Sequence, residues 1–228
     1  MLIAIEGIDG SGKGTVTKRL QQEAGQIGWK ADQISFPRYE STLYGDMVGR
    51  YLNGDFGRDT HPILSGTLYS IDRFESKAKI DQMCHDNELV LLGRYVTSNL
   101  CYMAMKATEG EEASIVEHFV NLEYGIFQLP VPDLIIFLDV PVEMAMANVR
   151  KKDPRSYTAD ASDIHEADAA YLARVRNFYL HELMKFHPAT RFEIVNCVRD
   201  EQLITLDDVF QKVQGIVFDL VQTHRKKG

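Results

Sequence analysis

A three-layer α/β fold, in which a five-stranded parallel sheet is flanked by helices, is predicted by three features of the sequence. Five short runs, at residues 2–5, 31–36, 88–92, 134–138 and 191–195, have strand length. Longer stretches of helical character separate them, and that alternation implies parallel pairing with helices on both faces. The run at 134–138, LIIFL, is apolar throughout, as expected of a strand covered on both sides.

Each element has its own justification. The first strand runs into a glycine-rich loop, and a helix is expected from residue 16 to about 25, with Leu20 inward and Lys18 and Arg19 outward. Gly25 and Gly28 end it. The second strand stops at Phe36-Pro37-Arg38-Tyr39, because Pro37 cannot continue a ladder; an X-Pro bond there can be cis. Residues 43–52 read as a helix, Asn53-Gly54-Asp55 as a turn, and 61–84 as one long helix in which Tyr69 and Arg73 share a face. The third strand ends in Gly93-Arg94-Tyr95, and Ser98 or Asn99 is expected to cap a helix to residue 107. Residues 111–127 read as a helix, and Leu129-Pro130-Val131-Pro132-Asp133 as a rigid connector. A helix at 141–152 ends in basic residues. Asp153-Pro154-Arg155 breaks it, a polar loop follows, and helices are expected at 163–186 and 201–224 around the fifth strand. No repeat or linker divides the chain, so one domain over 1–228 is expected, with a lid at about 150–163.

Composition narrows the function. A net charge of −8 argues against broad binding to nucleic acid or an anionic membrane. No apolar run is long enough to span a bilayer, and the chain starts directly with strand and loop, so no targeting segment is expected. Cys84, Cys101 and Cys197 lack metal-ligand spacing and read as reduced thiols of a cytoplasmic protein.

The stretch Gly7-Ile8-Asp9-Gly10-Ser11-Gly12-Lys13-Gly14-Thr15 carries the chemistry. Strand, glycine loop and helix, in that order, make a phosphate cradle. Glycines let backbone amides turn toward an anion, the helix N-terminus adds partial positive charge, and Lys13 adds a full one. The pattern G-x-x-x-x-G-K-[ST] is met with one change. Gly14 takes the hydroxyl position and Thr15 follows it. This ending is similar to that of nucleotide kinases of the adenylate kinase kind. In a parallel sheet, the loops at 7–14, 36–39 and 93–99, and the stretch after Asp139, gather at one edge. Arg38, Arg73 and Arg94 suit a second anion there, since a guanidinium fork bonds phosphate oxygens in pairs. Arg150, Lys151, Lys152 and Arg155 read either as a lid closing over phosphates or as a solvated basic helix end. Asp163 and Glu166 suit a sugar hydroxyl, Mg2+ or a helix N-terminus.

With these residues in view, the chain resembles the thymidylate kinases, nucleoside monophosphate kinases of the P-loop NTPase type. The resemblance runs through IEGIDGSGKGT, FPRY, the helix with Tyr69 and Asp72-Arg73, GRYVTSN with Tyr102, LPVPDLIIFLDV, and Asp163 to Glu166. It implies transfer of the ATP γ-phosphoryl group to dTMP, giving dTDP and ADP for dTTP synthesis, with Mg2+ and in a homodimer. Gly7 through Thr15 would hold ATP. Asp9 would approach the dTMP sugar or a metal, and Tyr39, Pro37 and Arg38 would shape the acceptor wall. Tyr69 would lie against thymine, Arg73 would donate to a thymine carbonyl, and Asn99 would bond the pyrimidine edge. Tyr102 would crowd the place of a ribose 2′-OH. Ser98, Asp163, His165 and Glu166 would complete the acceptor site. Lys13, Arg94, Asp9, Arg150 and Arg155 would serve catalysis, and Asp9, Thr15 and Glu166 the metal. Two positions depart from the family pattern. Gly93 stands where an aspartate is usual, and His165 where an aromatic residue can stand. The alternatives are a kinase for another monophosphate or a deoxynucleoside, or a nucleotide-binding relative weakened by Gly93.

Overall fold

Residues 1–57, 59–151, 168–187 and 191–225 are described by the computed structural model. Five parallel strands, β1 (Leu2–Glu6), β2 (Ala31–Ser35), β3 (Leu89–Gly93), β4 (Leu134–Asp139) and β5 (Arg191–Asn196), form a sheet in the order β2-β3-β1-β4-β5. Every residue of β1, β3 and β4 is buried, which is why their Leu, Ile and Val runs lack alternation. A Leu→Ala change among them costs roughly 2–5 kcal/mol. The register pairs Gly93 with both Ile5 and Ser35, and Phe137 with Glu6. The chain therefore leaves β1, β2, β3 and β4 at one edge of the sheet, with β1 central.

Ten helices among the described residues flank or extend this sheet. They are α1 (Lys13–Gln26), α2 (Leu43–Leu52), α3 (Pro62–Glu75), α4 (Lys77–Asp86), α5 (Val96–Lys106), α6 (Glu112–Val120), α7 (Val142–Arg150), α8 (Ala169–His181), α9 (Leu183–Phe186) and α10 (Leu206–Arg225). α1 packs against β2, β3 and α10, while α5 packs against α3, α6 and α8. A second cluster of buried side chains, Val48, Tyr51, Leu52 and Leu68, joins α2 to α3, with Tyr39 and Tyr69 packed on it. No helix among the described residues is long and apolar enough to cross a membrane.

Several expected boundaries move. α1 starts at Lys13, inside the glycine motif. The helix expected at 61–84 breaks at Ser76, whose Oγ accepts from Arg38 Nη1 at 3.1 Å. Ser98 and Asn99 lie inside α5 rather than capping it, because their side chains are drawn to buried carboxylates. The helix expected at 111–127 becomes α6 followed by a π-turn, Asn121–Ile126. α8 begins only at Ala169, where the Asp168 carboxylate accepts from the Tyr171 amide, and it breaks again at Glu182. A short hairpin, β6 (Val198–Arg199) and β7 (Gln202–Leu203), precedes α10.

Candidate active site

The loop after β1 is built to face an anion. Gly12 caps α1 with φ 89°, a left-handed value that glycine adopts freely, and no side chain caps the helix. Lys13 is buried, and its Nζ donates to the carbonyls of Gly7 and Ile8 at 2.8 Å each. Ser11 Oγ is buried without a hydrogen-bond partner among the described residues. α7 braces the loop, as Asn148 Nδ2 donates to the Gly10 carbonyl at 3.0 Å. A Cβ on Gly10 would stand 2.0 Å from the Ala145 carbonyl oxygen, so only glycine fits there. Ile8 is buried, and Gly14 and Thr15 are exposed in the first turn of α1.

Beside this loop opens a cleft. Asp9 reaches it from the loop, Phe36, Pro37 and Tyr39 from the segment after β2, Leu52 from α2, and Tyr69 and Arg73 from α3. Arg94, Ser98, Asn99, Tyr102 and Met103 line it from the segment after β3 and from α5. The Phe36–Pro37 bond is cis. Arg94 has φ 60°, a strained value for a side chain of its size, of the kind that gathers at functional sites. Its Nη2 meets Asp9 Oδ1 at 2.6 Å, Nη1 donates to Ser98 Oγ at 3.4 Å, and its guanidinium lies 5.2 Å from the Tyr102 ring centre. Tyr102 Oη in turn donates to Asp9 Oδ2 at 3.4 Å. Burial opposes the Arg94 charge, but Asp9 and Tyr102 overcome it and hold its pKa well above the ordinary guanidinium value.

Arg38 departs from the pattern. Its side chain turns to Ser76, its amide donates to Asp72 Oδ2 at 3.0 Å, and it does not line the cleft. Asp72 also accepts from Thr42 Oγ1 and is fully buried. Burial raises its pKa, and the bonds from Thr42 and the Arg38 amide only partly offset that.

Two buried glutamates organise its floor. Glu6 accepts from the Tyr95 amide (2.8 Å), Thr97 Oγ1 (2.6 Å), Ser98 Oγ (2.5 Å) and Tyr179 Oη (3.0 Å). Ser98 thus gives its proton to Glu6 and turns a lone pair toward Arg94, while the one Tyr179 hydroxyl proton is shared between Glu6 and Ser98 Oγ. Glu123 accepts from Arg73 Nε (2.5 Å) and Nη2 (2.7 Å), Ser70 Oγ (3.0 Å) and Asn99 Nδ2 (2.9 Å). Burial opposes the Arg73 charge, and Glu123 outweighs it, leaving the Arg73 pKa raised. Asn99 Oδ1 is buried without a partner among the described residues. A lone carboxylate ending the apolar run LIAIE was a readable signal for Glu6; nothing comparable marked Glu123.

Arg150 is exposed at the last residue of α7. Arg155, Asp163, His165 and Glu166, with most of the expected lid, lie outside the described residues. Among the described residues no group of three or more His, Cys, Asp and Glu is arranged to hold a metal. Gly93 is buried at the end of β3, and a Cβ there would stand 2.3 Å from Ser35 Oγ.

The family model described as thymidylate kinase matches residues 5–202. The thymidylate kinase of Mycobacterium tuberculosis is 31% identical over 180 residues, covering 78% of this chain and 84% of the relative. That of Mycoplasmoides gallisepticum is 26% identical over 98% of this chain and 97% of the relative. The solved structure of thymidylate kinase from Candida albicans superposes with a TM-score of 0.71 at 22% identity, covering 98% of this chain and 92% of that one, and shares the fold. A glycine-rich loop and a cleft meet at one sheet edge, and the family model and the relatives show that the chain belongs to the thymidylate kinase family.

Proposed function

We propose that the protein transfers the γ-phosphoryl group of ATP to the 5′-phosphate of dTMP, giving dTDP and ADP on the way to dTTP. The observation that carries this reading is the hydrogen-bond polarity of the cleft. Asn99 spends its amino group on Gly66, Ser70 and Glu123, which leaves Oδ1 as an unmatched acceptor. Arg73, whose fork to Glu123 uses Nε and Nη2, brings N–H donors to the same wall. Thymine offers a donor at N3 and an acceptor at O4, so both meet a partner. Cytosine offers the reverse at both atoms, and a buried mismatch is costly. A cytosine monophosphate is therefore the weaker reading. Tyr69 gives the base an apolar platform, steadied by Tyr51 at 6.3 Å, edge to face. Tyr102 is anchored by Tyr171, whose Oη donates to the Tyr102 carbonyl at 2.7 Å, and stands where it crowds a 2′-hydroxyl.

Phosphoryl transfer asks mainly for alignment and matched charge. The dTMP phosphate is already anionic at neutral pH, so its attack in line on the γ-phosphorus needs no strong base. Arg94 meets the acceptor phosphate, releasing part of its contact with Asp9. Lys13 and the loop amides hold the donor phosphates, and Arg150 and Arg155 approach them from the lid. Bound Mg2+ would draw negative charge from the transferring group. Asp9 fits such an ion, because Mg2+ takes one or two carboxylates together with phosphate oxygens and water. Thr15 and Glu166 are the further donors proposed.

The chain is proposed to act as one domain and as a homodimer in the cytoplasm, binding neither nucleic acid nor membrane. Leu64, Phe74 and Ile126 are exposed apolar side chains on α3 and the π-turn, and Phe74 stacks on Phe127 at 4.5 Å, which supports pairing through this face. The cysteines Cys84, Cys101 and Cys197 are free, as suits a reducing compartment. The test of the activity is ADP release from ATP and Mg2+ with dTMP, dCMP, dAMP and dGMP in turn. Release with dTMP foremost supports the reading, and a preference for any other acceptor overturns it.

A further inference from the structure

We infer that Glu123, which lines no part of the cleft, determines which base the cleft accepts, by fixing the direction of the Asn99 amide. This rests on the base recognition proposed above. Three acceptors, Gly66 O (3.1 Å), Ser70 Oγ (3.1 Å) and Glu123 Oε1 (2.9 Å), surround Asn99 Nδ2. The two orientations of an amide have the same shape, so only its neighbours choose between them. A backbone carbonyl and a carboxylate can only accept, and Ser70 is the one neighbour able to adapt. The carboxylate is the strongest of the three, since a bond to an ionised acceptor is about twice as strong as a neutral one. Turning the amide over would set Oδ1 against Glu123 Oε1, oxygen on oxygen. The same carboxylate holds the Arg73 fork, so one buried group sets both the acceptor and the donor that face the base. The π-turn Asn121–Ile126 carries Glu123 to this point, and such widened turns recur at functional sites.

Glu123 is therefore a positioning residue for specificity. Glu123→Gln keeps its shape but gives position 123 a donor as well as an acceptor. Only the neutral Gly66 carbonyl then opposes turning the Asn99 amide, so its orientation is less firmly held, and the Arg73 fork loses one partner. Steady-state kinetics with dTMP and dCMP, alongside thermal melting, test this. For Glu123→Gln, KM for dTMP should rise more than kcat falls. The ratio of kcat/KM for dTMP over dCMP should drop by about tenfold or more, the worth of one well-made buried hydrogen bond. A purely structural role would lower the melting temperature and leave that ratio alone, and an unchanged ratio in a folded variant overturns the inference. If Glu123→Gln does not fold, Glu123→Asp keeps a charge opposite Arg73 while stopping about 1.5 Å short of Asn99. The same loss of discrimination is expected from it, and the wild-type ratio overturns the inference. The wild type separates the two ideas. If it already accepts dCMP as well as dTMP, the base recognition itself fails; if it discriminates and the variants still do, only the role of Glu123 fails.

Discussion

Gly93 is buried at the end of β3 beside Arg94, where the resemblance leads one to expect an aspartate, and putting an aspartate there is a demanding trial of the site. A Cβ at position 93 would lie 2.3 Å from Ser35 Oγ, 3.2 Å from Ser35 Cβ and 3.7 Å from Ser35 Cα. The hydroxyl must rotate away, at a cost of about 0.5–1.5 kcal/mol if it leaves its rotamer well. The two Cβ atoms must also ease apart between strands held in register by the Ser35–Gly93 pair and by the Phe36 amide on the Gly93 carbonyl at 2.9 Å. Overpacking of this kind costs about 1–3 kcal/mol. Ser35→Gly removes both short contacts and leaves only the ordinary one to Cα. Urea denaturation of Gly93→Asp, Ser35→Gly and the double variant should therefore show a favourable coupling of about 1 kcal/mol or more. The same proteins, titrated with Mg2+ at fixed ATP and dTMP, test the chemistry. The double variant should reach half-maximal rate at lower Mg2+ than the wild type, because a carboxylate now stands beside Arg94. Additive stabilities would refute the packing argument, and an unmoved Mg2+ requirement would refute the view that position 93 serves the metal.

Other outcomes follow from the same geometry. Lys13→Ala removes the charge proposed to serve the donor phosphates, so kcat/KM for ATP should fall by about 10²–10³-fold while the protein still folds; an unchanged rate discards the donor site. Tyr102→Ala opens the space proposed to lie beside the sugar, and the use of UMP relative to dTMP should rise roughly tenfold in ADP-release kinetics. If the preference stays put, sugar selection lies elsewhere. His187 is buried, and neither ring nitrogen has a hydrogen-bond partner among the described residues. Burial lowers its pKa. The fold thus prefers neutral imidazole, so this stability is complete above the unfolded value of about 6.5 and is lost as pH falls toward the folded value. His187→Phe should flatten the fall in melting temperature between about pH 7.5 and about pH 5.5, and equal slopes would contradict the assignment.

Sequence reading reached the sheet and the loop because both rest on local signals. Apolar runs such as LIIFL allow little but a covered strand, and glycines around Lys13 allow little but a cradle. It reached Arg73 and Arg94 as arginines suited to a second anion and Tyr69, Asn99 and Tyr102 through resemblance, and the fold gathers all five at one cleft. It missed what depends on contacts distant in the chain. Ser98 and Asn99 have the chemistry of helix caps, and only Glu6 and Glu123, distant in sequence, draw them inside α5. The break at Ser76 carries no glycine or proline, and Arg38 donates to Ser76 Oγ there. The β6–β7 turn places Asp200 and Glu201 at φ 51° and 59°, where asparagine and glycine are the usual signal, so no signature announced it. Arg38, readable as an anion ligand, turns instead toward α4's first turn because Ser76 offers it an acceptor.

The account stands or falls on transfer between two bound anions rather than loss of phosphate to water. Phosphorus NMR of the protein with ATP, Mg2+ and dTMP observes both products at once. ADP and dTDP growing in equal amounts is the predicted result; ADP growing with inorganic phosphate, and dTMP unconsumed, would contradict it.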